Sequence, residues 1–299
     1  MKRYLLFSCL FFLSAMAFSQ PFIDLAEVQY QAFTRENTKD LPGASAATSV
    51  LRASLTLPFT TKSSRIFILG FDHVHNYIDF DSDSADYRTD LYSTGMRLMM
   101  KGDMHDPAWS YLFLLVPKIN ADLKTPIMSD MQLGGAALFI WNKKENLKFK
   151  FGMYYNREYY GNYFMPLLGI EWTVNKRLNI FGILPGGMNI EYRLNPKMTC
   201  GLAYRSYNPT FRTEDNPGDE YVREGHKFWA DNQVSVLMTY YPFKNIALTA
   251  GIGQTVFRYF QNYSEINIKI NSDPSLIPIE DQQFAYITAA YRIRFDQEK

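Results

Sequence analysis

The sequence predicts an all-β protein: a single transmembrane antiparallel up-and-down β-barrel of about fourteen strands, twelve being the alternative count, preceded by a cleaved signal peptide. Three observations predict it. Apolar and polar residues alternate along run after run, so each strand carries one greasy and one polar face. The connections between runs alternate long and short. The chain opens with an export signal and then has no run of ~18 apolar residues that would form a membrane helix.

The signal comes first. Met1, Lys2 and Arg3 are a basic start, residues 4–16 an apolar core, and Ala17 and Ser19 small residues at a cleavage site. Cleavage after Ser19 divides the chain into a signal peptide, 1–19, and a barrel domain, 20–299. Losing Lys2 and Arg3 brings the mature chain from +1 to near −1, so no basic excess points to nucleic acid. Cys9 leaves with the signal, and Cys200 then has no intrachain partner. The chain is 16% aromatic with a mean hydropathy of −0.23, which suits a thin lipid-facing band around a polar interior.

Along the mature chain, Ala26, Val28, Tyr30 and Ala32 alternate with Glu27, Gln29 and Gln31 as the first strand. Residues 34–48 are polar, contain Pro42-Gly43 and predict a loop. Leu51, Ala53, Leu55, Leu57 and Phe59 then alternate with Arg52, Ser54 and Thr56. A third strand runs over about 65–78, followed by an acidic loop, 79–86. The fourth sets Tyr92, Met96, Leu98 and Met100 against Ser93, Gly95 and Arg97, and the fifth covers 109–118. Leu133, Ala137, Phe139 and Trp141 mark the sixth, and Leu147, Phe149, Phe151, Met153 and Tyr155 the seventh, against Lys148, Lys150, Gly152 and Asn156.

The central stretch 160–194 supplies three more strands. Phe164, Pro166, Leu168, Ile170 and Trp172 share one parity; Asn175-Lys176 turns the chain; Leu178, Ile180, Gly182 and Leu184 return it. Pro185-Gly186-Gly187 turns it again into Met188, Ile190, Tyr192 and Leu194, with Asn189, Glu191 and Arg193 between. Met198, Cys200, Leu202 and Tyr204 form the eleventh strand. A long polar loop, 208–226, precedes a strand ending at Tyr241, and Ile246, Leu248, Ala250 and Ile252 follow. After a second long loop, 262–282, the last strand sets Ala285, Ile287, Ala289, Tyr291 and Ile293 against Tyr286, Thr288, Arg292 and Arg294.

Short turns at one end and longer loops at the other are the outer-membrane arrangement, with the short 185–187 turn the exception on the long side. Trp109, Trp141 and Trp172 fall beside short turns on the apolar parity, where an indole buries its ring and hydrates its N–H at a membrane interface. The last strand ends in Tyr291, Ile293 and Phe295, like the recognition signal of barrel-assembly machinery, with residues 296–299 trailing it. The expected partners are therefore the lipid bilayer, that machinery during biogenesis, and a small polar solute.

Tyr160-Gly161, Phe164, the 166–170 run, Phe181-Gly182, Leu184-Pro185 and Tyr192-Arg193-Leu194 carry a family resemblance. They resemble the core of an uncharacterised domain-of-unknown-function family of exported Gram-negative outer-membrane β-barrels. The resemblance is sharpest over 160–205. It implies a barrel in the outer membrane and no particular activity or functional residue.

Charges on the polar parity should point inward, because a charge facing lipid at mid-depth costs ~2–4 kcal/mol. The predicted lumen charges are Glu27, Arg52, Asp72, Arg97, Glu171, Glu191, Arg193, Arg205, Arg292 and Arg294. They read either as a selectivity lining for anionic or polar solutes or as a salt-bridge network that plugs the barrel. Asp79, Asp81, Asp83 and Asp90 have the spacing of a calcium loop, but Ser84 stands where its turn needs glycine; a solvated acidic loop is the competing reading. His73 and His75 share a strand face without an identifiable third ligand. No nucleophile motif, zinc-protease motif or phosphate loop occurs, so the expectation is a non-enzymatic barrel without a cofactor. Porin-like passage of small polar solutes is the leading functional reading, and a closed structural or surface-binding barrel its alternative.

Overall fold

Alternating side chains need two different surroundings, and the chain provides them by curling its strands into a ring. The computed structural model describes residues 22–37, 45–61, 65–81, 87–123, 131–159, 161–213, 225–264 and 280–295. The predicted signal segment, Asp83 and most of the long loops lie outside them. The strands are β1 (Phe22–Phe33), β2 (Glu36–Asn37), β3 (Ser45–Thr60), β4 (Ile66–Asp81), β5 (Tyr87–Asp103), β6 (Trp109–Ala121), β7 (Met131–Lys144) and β8 (Leu147–Glu158). They continue as β9 (Gly161–Thr173), β10 (Leu178–Leu184), β11 (Gly187–Asn195), β12 (Met198–Tyr207), β13 (Thr210–Thr213), β14 (Gly225–Phe243), β15 (Ile246–Ser264) and β16 (Gln283–Arg294).

Fourteen of these form the wall, each antiparallel to its neighbour, and the two short ones, β2 and β13, are additions to it. β1 closes the ring: Gln29 pairs with Thr288 of β16 on one side and Arg52 of β3 on the other. The hairpin β10–β11, whose strands are seven and nine residues long, holds its place in the wall, so the count is fourteen and not twelve.

The two faces separate as the parity predicts. Val28, Leu55, Phe164, Leu168, Ile252 and Ile287 face outward and are exposed, Leu168 to 62%. Gln31, Asn76, Asn120, Asn156 and Thr255 face inward and are buried. An apolar surface around a polar interior is stable only where the surrounding solvent is hydrocarbon. Trp109 and Trp141 pair across β6 and β7 with rings 6.2 Å apart, and Lys143 sits 5.5 Å over the Trp141 ring at the short-turn end. The fold is that of an outer-membrane β-barrel.

The short turns are built by side chains that imitate backbone. Asn175 Oδ1 accepts hydrogen bonds from the Arg177 and Leu178 amides at 2.8 and 3.0 Å. Asn195 Oδ1 accepts from Lys197, and Asp106 from Ala108, in the same way. At the other end the strands run further than their composition suggests. β3 begins at Ser45, inside the predicted 34–48 loop; β4 carries Asp79 and Asp81; β14 starts at Gly225 and β15 reaches Ser264. These extensions rise past the apolar belt, so no greasy face marks them and they read as loop.

Two bulges re-aim lumen side chains. Pairing shifts between Asp24 and Ala26 in β1, and again where Ala230 and Asn232 of β14 face Tyr259 and Val256 of β15, the extra residue lying on β15 beside Phe257, which adopts φ 57°. Each bulge adds one residue and re-aims the side chains beyond it. Asp24 and Arg258 face the lumen as a result, although simple alternation from Ala26 or Ile252 would turn them toward lipid.

Gly182 has φ +155°, and a Cβ there would collide with the Gly187 carbonyl across the β10–β11 hairpin. Gly182→Val is expected to destabilise the barrel by about 1–3 kcal/mol. Urea titration of the refolded protein, followed by its heat-modifiable mobility on gels, measures this; an unchanged midpoint would contradict the steric reading.

Candidate functional site

The lumen holds the chain's concentrated polar chemistry, and the ten charges predicted to line it lie on its wall strands. Their partners differ. Asp72 and Arg97 form an ion pair on adjacent strands at 2.5 Å, and Arg97 also donates to Thr56 at 3.3 Å. Arg292 grips Asp24 with two bonds of 2.6 and 2.9 Å, donates to the Tyr241 hydroxyl at 3.2 Å and lies 3.5 Å over the Phe22 ring. Glu171 pairs with Lys150, both buried. Arg294 donates to the Pro196 carbonyl at 3.1 Å and stacks over Tyr241.

The remaining charges are less fully matched. Arg52 donates to Gln31 at 2.8 Å and lies 5.5 Å over the ring of Tyr207, across the lumen on β12. Arg205 donates to Asn189 Oδ1 at 2.8 Å and to the Tyr204 carbonyl at 2.9 Å. Arg193 lies beside Glu191, and Glu27 beside Asp24. A lumen cavity of about 160 Å³ is lined by Glu27, Glu191, Arg205 and Arg292 together with Gln29, Asn189, Gln233 and Tyr286.

The long-loop mouth is narrowed by the chain itself. After β12 the backbone leaves the wall, and β13 spans from β14 to β6, skipping six wall strands. Arg212 bridges Ala121 in parallel, and the Asp122 amide donates to the Arg212 carbonyl at 3.1 Å. Thr210 and Phe211 are fully buried. Gln132 donates to the Thr210 hydroxyl at 3.0 Å and accepts from Asn120 at 2.8 Å, while the Thr210 hydroxyl donates to Glu158. Lys118 stands 3.6 Å from Glu158. Across the mouth, Arg258 bonds to Gln282 and Thr48 and lies 4.6 Å over the Phe33 ring, and Gln31 bonds to Gln233 at 2.9 Å.

Sequence parity names ten wall charges and leaves out several of the groups that bond near them. Asp24 and Arg258 depend on bulges, which leave no signature in an alternating pattern, whereas Asp231 continues the inward row of Gln233 and Ser235. Lys118 and Glu158 continue the inward rows of β6 and β8, so counting those rows outward finds them. The inward path of Thr210 and Phe211 has no local signal.

Of the acidic set, Asp79, Asp81 and Asp90 are the described members, and they meet other side chains at the outer rim. Asp79 is bonded by Arg35 at 2.6 Å and Arg88 at 3.2 Å, and Asp81 stands 3.8 Å from Arg35. Asp90 is 2.5 Å from His75, whose ring stacks on Tyr92 at 4.5 Å. His73 is bonded to Thr94 at 2.8 Å. Cationic and aromatic side chains thus meet these carboxylates and imidazoles, and no cluster of metal-ligand residues forms among the described residues.

A family model described as a domain of unknown function (DUF6268) matches residues 16–270. The chain belongs to the DUF6268 family. No curated protein sequence matches it. Among solved structures it is similar to the COG4313 outer membrane channel from Pseudomonas putida F1, at TM-score 0.47 and 6% identity, covering 90% of this chain and 94% of that one. It is also similar to the Pseudomonas putida toluene transporter TodX, at TM-score 0.41 and 9% identity over 89% and 88% of the chains. The NanC porin aligns at TM-score 0.34 and 7% identity, over 89% and 100%.

Two predictions test the geometry. Removing one member of a buried ion pair strands the other, at a cost of about 3–5 kcal/mol. Lys150→Met is therefore expected to lower the urea midpoint strongly, and adding Glu171→Leu to recover most of the loss; equal midpoints for the single and double variants would refute the coupling. At the rim, burial pushes the Asp79 carboxyl up, and hydrogen bonds and charges from Arg35 and Arg88 outweigh it and hold it below the usual carboxylate range. A lowered folded value gives stability present above the unfolded value near ~3.9 and lost as pH falls through the folded one. Asp79→Asn is expected to speed proteolysis of the rim at pH 7 and to match the wild type in acid, as limited digestion followed by mass spectrometry measures.

Proposed function

We propose that this barrel passes small polar solutes across the outer membrane by diffusion through its charged lumen, without catalysis or a cofactor. The observation that carries this is the polar cavity inside an apolar-belted ring: Arg205 is exposed to it, beside Glu27, Gln29 and Asn189. A barrel serving purely as a brace gains nothing from solvent-facing charge at its axis, and matched apolar residues would fill that space at less desolvation cost. Assembly machinery acting on the C-terminal strand belongs to the same reading.

One observation favours the alternative, a closed barrel acting through its outer loops. β13 crosses the mouth, and Arg97 and Arg292 are bound to Asp72 and Asp24. On the pore reading β13 is a constriction, and loosening it widens the path. The test is single-channel current from the mature chain in planar bilayers. Wild type is expected to conduct weakly, and Phe211→Gly, which removes the fully buried ring of β13, to conduct several-fold more. A folded barrel that stays silent in both forms removes the pore and leaves the binding role.

A further inference from the structure

The axial cavity contains charges of both signs that have not neutralised each other. Arg205 spends its bonds on Asn189 and on main-chain carbonyls, and no carboxylate stands within 4.0 Å of it among the described residues. Glu27 and Glu191 line the same cavity and likewise make no ion pair within 4.0 Å among the described residues. Arg292, which lies near both, is already held by both oxygens of Asp24, and Arg193 beside Glu191 makes no ion pair within 4.0 Å of it. Elsewhere in the lumen opposite charges on neighbouring strands close directly, as Asp72–Arg97 and Glu171–Lys150 do. Here they stay apart, with about 160 Å³ between the walls.

That space is small. It falls below the ~300–1,000 Å³ of pockets for drug-sized ligands, so its occupant has few heavy atoms. Gln29, Asn189, Gln233, Ser235, Tyr286 and Thr288 surround it with amides and hydroxyls. A purely anionic solute would meet Arg205 but press against two carboxylates. A purely cationic one would leave Arg205 facing its charge. A neutral solute would leave both signs without a counter-charge, which is costly in a low-dielectric lumen.

We infer that this cavity is a binding site for a small zwitterion, whose carboxylate is taken by Arg205 and Asn189 and whose ammonium group is taken by Glu27 and Glu191. The inference rests on the pore reading for its biological sense, but binding itself needs access from one end alone. The solute is held by its two charged ends, and its short connecting carbons face Phe22 and Phe181.

The test is calorimetric titration of the refolded mature chain in detergent with glycine, β-alanine, acetate and methylammonium. The two zwitterions are expected to bind, with acetate and methylammonium at least about tenfold weaker, the loss of one charge-assisted contact. Arg205→Gln and Glu27→Gln, checked for folding by heat-modifiable mobility, should each weaken β-alanine by about tenfold. The ligand comparison on the wild-type chain needs no variant and stands if one fails to fold. Acetate binding as tightly as β-alanine would overturn the inference, as would a folded barrel that binds neither zwitterion. Binding by a barrel that passes no current would uphold the site and refute the pore.

Discussion

Everything in this structure follows from one constraint: inside a bilayer no water can satisfy a backbone N–H or C=O. A sheet with an open edge would leave a row of such groups in hydrocarbon, each costing several kcal/mol. β1 removes both edges by pairing β16 and β3 at once. Closure then divides the side chains of every wall strand between lipid and lumen. Leu51, Leu55 and Phe59 go out, and Arg52, Thr56 and their neighbours go in, because the strand period leaves no other choice.

The inward half inherits a second problem. Charges removed from bulk water must be matched, and fourteen strands do not automatically bring partners to the same level. The bulges solve part of it. The shift at Asp24/Ala26 carries Asp24 to Arg292, and the left-handed backbone at Phe257 turns Arg258 in toward Gln282 and Thr48. Irregularity in the ladder is thus how this wall places particular charges. The exception is the stretch around Arg205, where the lining stays unmatched and a cavity remains.

β13 adds an element that belongs to neither wall nor loop. The short β10–β11 hairpin leaves little strand on that side of the mouth, and β13 reaches over to β6. Its bonds are made to Gln132, Glu158 and Asp122, residues from three separate parts of the chain. A constriction assembled from such distant contacts can be altered without disturbing the closed ring that carries the fold.

By itself the sequence determined the barrel, the strand count near fourteen and which residues of each wall strand share a face. It could do so because alternation is local: residue i and residue i+2 share a face whatever the rest of the chain does. It also placed Trp109, Trp141 and Trp172 beside the short turns. Tertiary structure alone decided which charges meet. Arg97 finds Asp72 in the neighbouring strand, Arg52 reaches Tyr207 across the lumen, and Arg205 finds no carboxylate among the described residues. Those outcomes depend on strand register, on the bulges in β1 and β15 and on the path of residues 208–213, none of which alternation encodes. Partners across a lumen are set by how the ring closes, and ring closure is a property of all the strands together.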